Sequence, residues 1–482
     1  MNLRTVIRLI GVLLGFIGLS MSFPLFWSLY LDGPDAGALG TSMAVCIGFG
    51  GVLFAVGWGS SAPVLRRESL AIVGGGWLLA AFFGALPFYL SGAIPSFIDA
   101  YFESMSGFTT TGSTILLDIE AMPRGLLFWR SFTHWLGGMG IVVLFVAVLP
   151  YLRAGGKQLF QSEVPGPAQD TLKPRIQETA SFLWKVYVGL SAVLTALLYL
   201  QGMSFYDALC HTFGTMATGG FSTQNASVGA YDSWTIDLTL IVFMILAATN
   251  FGLYFHVIRG RLNSLLRDPE WRFFVGLVGL CILLVSANLY HRNYDSVWGS
   301  LRYGSFQVVS IVTTTGFGTA DFDVWPAFSV LILVSLMFVG GCAGSTGGGM
   351  KAIRFLILLK NAAHGVERVF RPHIVRTMKL GGEPVEDDLR DAIVVYFSLL
   401  MLLFLFSSLA MAAMGLDLLT AVTSVATTLN NIGPGLNAVG PIRNFAGIPD
   451  AGKLLLSICM LLGRLELFAV LVLFMPSFWQ GR

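Results

Sequence analysis

Thr109-Thr110-Thr111-Gly112-Ser113 has three echoes along the chain: Ala217-Thr218-Gly219-Gly220-Phe221, Thr313-Thr314-Thr315-Gly316-Phe317 and Asn430-Asn431-Ile432-Gly433-Pro434. Each stretch is small and polar and carries glycine in its fourth place. Gly112, Gly220, Gly316 and Gly433 stand 108, 96 and 117 residues apart. A near-constant period of this size is longer than a solenoid repeat and points to four copies of one larger unit. The match extends upstream. Asp99 and Asp207 each stand thirteen residues before their glycine, both in Phe-x-Asp-Ala. At the same offset the third and fourth copies hold Leu301-Arg302-Tyr303-Gly304 and Leu418-Leu419-Thr420-Ala421. The shared pattern is apolar-x-polar-small, a short apolar run, then the glycine stretch.

The rest of the chain says what solvent this unit is built for. Of 482 residues 55% are hydrophobic and 12% charged, where soluble domains carry roughly a quarter charged. The chain is therefore read as an all-α polytopic membrane protein, with about a dozen crossings at about 20 residues each. The first apolar run, 6–31, is long enough to span, and no small-x-small cleavage site follows it. Cys46, Cys210, Cys281, Cys342 and Cys459 stand singly in apolar surroundings and read as buried free thiols. The six His show no ligand spacing. No segment between spans is long enough for a separate catalytic domain, and no nucleic-acid partner is expected. An intramembrane enzyme would need paired carboxylates or a nucleophile beside a base within the apolar spans, and no convincing spacing occurs; the protein is not expected to be an enzyme.

Two leading spans, about 5–31 and 38–62, lie outside the repeat. Four units follow, each a span, a short apolar segment, a glycine stretch and a second span. The spans fall near 69–92 and 125–151, 180–201 and 234–258, 272–290 and 325–360, and 390–415 and 450–476. The short segments between them, about 97–108, 205–216, 299–312 and 418–429, are too short to cross and suit re-entrant helices buried by protein. The division is 1–68 for the leading helices, 69–152 for repeat one, and 153–260 for repeat two with a Pro-containing linker at 152–178. Repeat three is 261–360, and repeat four is 361–482 with a basic loop, 361–388, that serves as a docking surface or simply as a solvated positive loop. With both termini and the basic loops on one side, twenty Lys and Arg lie inside and six outside, as the positive-inside rule requires. That places both termini in the cytoplasm and brings all four glycine stretches in from outside.

Four re-entrant units around one axis make a pore. Glycine lets the backbone turn its carbonyls inward in conformations a β-carbon forbids, and stacked carbonyls replace the water around a bare cation. Each short helix points its partly negative C-terminus at that pore. No carboxylate lies within the four stretches, which suits a monovalent ion better than calcium. Small-residue helix packing would account for one such stretch, but not for four in register on one side.

Two further features lie in the spans. Residues 340–349, Gly-Gly-Cys-Ala-Gly-Ser-Thr-Gly-Gly-Gly, hold six glycines in ten positions and break the second span of repeat three. They lack the Gly-Lys-Ser/Thr ending of a nucleotide loop. Arg464 lies about 21 Å down the last span at 1.5 Å per residue, where an ionisable group is a functional candidate by default. The alternatives are a packing kink for the loop and an ion pair with a buried carboxylate for the arginine.

On these motifs the chain resembles the Trk/Ktr/HKT superfamily of potassium uptake proteins, and within it the bacterial TrkH branch, over essentially its whole length. The resemblance implies two leading transmembrane helices and four parallel membrane-pore-membrane repeats forming one pore per chain. It implies a selectivity filter with potassium bound at Thr110, Thr111, Gly112, Gly219, Gly220, Thr315, Gly316, Ile432 and Gly433, and no nucleotide on this chain. It implies a gate of Gly344, Ser345, Thr346, Gly347, Gly348, Gly349, Lys351 and Arg464, the loop obstructing the pore below the filter. Glycine at 112, where some plant members have serine and favour sodium, implies potassium preference. The fourth stretch is the least channel-like. The resemblance further implies a bacterial inner-membrane homodimer, gated by a cytosolic nucleotide-binding ring protein. Proton- or sodium-coupled potassium symport is the alternative, and an inverted-repeat secondary transporter is a further one, disfavoured because all four stretches share one polarity.

Overall fold

The computed structural model describes residues 1–60, 64–140, 176–371 and 378–480. The fold is all-α and polytopic. Its leading hairpin runs through Leu3–Ser20 and Ser22–Tyr30, turns, and returns through Ala36–Val56. Gly11 and Gly50 let the two helices touch: a β-carbon on either would come within 2.6–2.8 Å of the other's carbonyl oxygen, the close approach typical of helices packed in lipid.

Four units follow. Their first spans are Arg66–Leu90, Ile176–Leu200, Pro269–Leu289 and Asp387–Ala413. Their short helices are Phe97–Phe108, Phe205–Met216, Val297–Val312 and Leu418–Leu429, within two residues of the expected segments. Three of them have 12 residues, about 18 Å, so none crosses a core of about 30 Å. Each starts on a side-chain cap that accepts the N–H three residues on: Ser96 from Asp99, Ser204 from Asp207, Ser296 from Gly299 and Asp417 from Thr420. Asp99 and Asp207 are thus first-turn residues, and the serines before them are the caps. Hydrogen bonds from Thr420 hold the Asp417 carboxyl down at about 2. The third helix, with 16 residues, begins one turn earlier than the others. That extra turn is why the upstream pattern blurs in the third copy.

The second spans depart from expectation. Among the described residues six helices are long and apolar enough to cross a membrane, or eight crossings if each of two bent pairs is one span. Trp234–Ala247 and Phe251–Ile258 meet at 99°, and Asp450–Arg464 and Phe468–Phe474 at 117°. In repeat three, Ala327–Leu336 gives way to a non-helical loop before Ala352–Phe370. In repeat one Arg124–Gly138 ends before Gly140, whose φ is +68°. The expected continuation to 151 and most of the linker 152–178 lie outside the described residues. The continuous second spans expected for repeats two, three and four are therefore corrected to broken ones. The basic loop is not structureless either: Ala352–Phe370 runs into it, and Lys379–Leu380 pairs with Glu383–Pro384 in a small hairpin. All five cysteines are buried and free.

Candidate ion pathway

The four glycine stretches share one backbone conformation. Thr110, Thr218, Thr314 and Asn431 have φ between +53° and +61°, and Gly112, Gly220, Gly316 and Gly433 have φ between +77° and +101°. Left-handed residues two apart, in four copies, are a repeated design rather than an accident. The N–H groups are spent backwards. Those of Thr111, Gly219, Thr315 and Ile432 donate to Ser106, Gly214, Ser310 and Thr427 at 2.8–2.9 Å, in the last turns of the short helices. A trans peptide points its carbonyl opposite to its N–H. The carbonyls of Thr110, Thr218, Thr314 and Asn431 therefore point away from the helices.

The stretches also close on one another. The α-carbon of Gly112 packs against the carbonyl oxygen of Gly219, Gly220 against that of Thr315, and Gly316 against that of Ile432. Gly433 returns to the carbonyl of Thr111, where a β-carbon would stand 3.0 Å away. The order one, two, three, four, one is a ring completed within a single chain. Side chains tie its fourth member to its first: Ser113 Oγ donates to Gly433 O at 3.1 Å, and Asn431 Nδ2 to Thr111 Oγ1 at 2.9 Å. Thr109 and Thr313 pair with Thr111 and Thr315 at 2.8 Å, a likeness between opposite copies one and three.

Behind the ring lies an ion pair. Arg130 Nε donates to Glu103 Oε1 at 2.6 Å, both side chains are at most 1% exposed, and Arg130 also donates to Ser222 O at 3.0 Å. Glu103 further accepts from Thr114 Oγ1 and Ile115 N at 2.9 Å. The Arg130 guanidinium lies 3.5 Å over the Phe221 ring, which also stacks on His134 at 4.0 Å. This group braces the descending arms of copies one and two.

Residues 340–351 lie against the end of the ring where the stretches begin. Gly348 N donates to Thr314 Oγ1 at 2.7 Å, and a β-carbon on Gly347 would stand 3.2 Å from Thr313 O. Gly340, Gly344, Gly349 and Lys351 have φ between +69° and +80°, so the segment holds a defined non-helical path rather than a kink. Cys342 N donates to Ala248 O at 2.8 Å and Thr346 Oγ1 to Ala247 O at 3.0 Å, so the loop also uses carbonyls freed by the break in repeat two. Lys351 Nζ reaches Gly347 O. Arg464 ends its helix, at the bend of the last span. It donates to Thr346 O at 2.8 Å, to Thr110 Oγ1 at 3.1 Å, and to the Gly137 and Gly138 carbonyls at 2.6 Å. One guanidinium thus joins the loop, the first stretch and the C-terminal end of Arg124–Gly138.

A family model described as TrkH, cation transport protein, matches residues 41–481. The chain belongs to the TrkH family. The Trk system potassium uptake protein TrkH of Salmonella typhimurium is 41% identical over all of both chains. TrkG of Escherichia coli K12, named in the same way a Trk system potassium uptake protein, is 35% identical over 100% of this chain and 99% of its own. The crystal structure of the potassium transporter TrkH from Vibrio parahaemolyticus superposes with a TM-score of 0.89 at 37% identity, covering all of both chains. Within this TrkH-family fold every residue named for the filter falls in the ring, and every residue named for the gate falls in the loop or is Arg464 against it. Sequence reasoning missed the Glu103–Arg130 pair, the Arg354–Glu466 pair and Glu270. Their signal was present: ionisable residues inside apolar segments, where a charge has to have a partner.

Proposed function

We propose that the chain mediates potassium uptake across the bacterial inner membrane through the ring of four stretches. The observation that carries this reading is the cyclic closure of Gly112, Gly220, Gly316 and Gly433 on neighbouring carbonyls. Filter carbonyls from 109–112, 217–220, 313–316 and 430–433, with no carboxylate in the ring, fit a dehydrated monovalent cation that has to leave again. The names of the relatives supply potassium as that ion. Both termini face the cytoplasm on the Lys and Arg distribution. The glycine-rich loop is the gate, held by Arg464, and a cytosolic nucleotide-binding ring protein biases it; the chain works as a homodimer with a pore in each subunit. Parallel polarity of the four short helices supports this reading over the inverted-repeat one. Rubidium uptake into liposomes holding the purified protein tests the proposal. Uptake suppressed by excess external potassium and little affected by equal sodium is expected; equal suppression by both ions would defeat the potassium assignment.

A further inference from the structure

Glu270 belongs to none of the groups that form the ring, yet it is a carboxylate only 4% exposed in the first turn of Pro269–Leu289. Its Oε1 accepts the N–H of Ala343 at 2.7 Å and the N–H of Ile353 at 3.0 Å. These donors belong to the two strands of one neck. Ala343 is on the way into the glycine-rich loop and Ile353 on the way out, and between them Ala352 N donates to Gly341 O at 2.8 Å. The loop is therefore a short closed excursion of the Ω kind, whose neck is joined by one backbone bond and one carboxylate oxygen.

We propose that Glu270 is a positioning residue that staples this neck and so sets the closed position of the loop; the inference rests on the reading of that loop as the gate. Buried amides need acceptors. A single carboxylate oxygen serving both strands couples them, because losing it strips both at once. The remaining contacts divide differently. Arg464 and the Ala247 and Ala248 carbonyls hold the body of the loop, whereas Glu270 fixes where it starts and returns. The staple is also close to a surface: Gly381, in the turn of the small hairpin, packs on the ring of Pro269, where a β-carbon would meet Cγ at 3.2 Å. A partner that shifts the hairpin has one residue to move before it reaches the carboxylate.

The test uses the full chain in liposomes without any partner. Glu270→Ala is expected to raise unstimulated rubidium flux about tenfold, as a minor open state of about one per cent grows to about ten, with the potassium-to-sodium ratio unchanged. Glu270→Gln keeps an acceptor oxygen in place and should stay within about threefold of the parent; a Gln variant as leaky as Ala would overturn the staple. Ile353→Pro removes one donor from the other side, in the first turn of Ala352–Phe370 where no intrahelical bond uses that N–H, and should also raise flux. It decides the matter if the Ala variant yields no folded protein. A loop lacking Gly347 and Gly348 is the control for the gate itself. High flux in that control with parental flux in Glu270→Ala and Ile353→Pro overturns the role of Glu270 and leaves the gate standing. Parental flux in all of them defeats the gate.

Discussion

A β-carbon at residue 112 has nowhere to go. Gly112 sits at φ +86° with its α-carbon against the Gly219 carbonyl, so Gly112→Ser has to shift that oxygen. The ring is then widened at one quarter, and sodium permeability relative to potassium should rise several-fold. Reversal potentials in mixed salts measure it, and an unchanged ratio in folded protein would take Gly112 out of the filter. Arg130 makes the opposite kind of case, a residue whose loss is felt in stability. Removing it leaves Glu103 charged and buried, which costs about 3–5 kcal/mol. Arg130→Met should therefore lower the melting temperature sharply in detergent, and adding Glu103→Gln should restore part of the loss. A double variant no more stable than the single one would mean that the pair does not act as a unit.

At the scale of elements, the short helices were legible because their beginnings and ends are written locally. A serine or aspartate cap starts each, and a left-handed pair ends it. Losing one cap costs about 1 kcal/mol, so Ser204→Ala should destabilise modestly. Asp99→Ala should cost more, because Lys453, only 4% exposed, donates to Asp99 at 2.5 Å and loses its nearest carboxylate. Comparing the two melting temperatures checks the order. The broken second spans were less legible. Repeat three announces its break with six glycines, whereas repeats two and four break at Ala248-Thr249-Asn250 and Leu465-Glu466-Leu467, where one or two polar residues interrupt an otherwise apolar run. In repeat two the reason is tertiary: the freed Ala247 and Ala248 carbonyls accept from Thr346 and Cys342, residues more than ninety positions away. Ion pairs such as Glu103–Arg130 were hidden for the same reason. Each half was visible, but only the fold says which two meet.

For the whole molecule the decisive fact is that one chain closes the ring. Unlike an assembly of identical subunits, the four copies here differ: threonine pairs in copies one and three, Gly219-Gly220 in copy two, Asn431 bridging to Thr111 in copy four. A ring with four different quarters has no need of neighbouring chains, whatever oligomer the protein forms. Subunit mixing reads this directly. A filter-blocked chain, Gly220→Val, whose side chain would press on Thr315 O, is labelled separately, combined with parent protein in denaturing-free exchange, and reconstituted at known ratios. Flux should fall in proportion to the parent fraction, so that an equal mixture keeps half of it. If four chains shared each pore and one blocked chain closed it, an equal mixture would keep only about one-sixteenth. The linear result is expected even within a homodimer, because each subunit would carry its own complete filter, its own loop and its own Arg464.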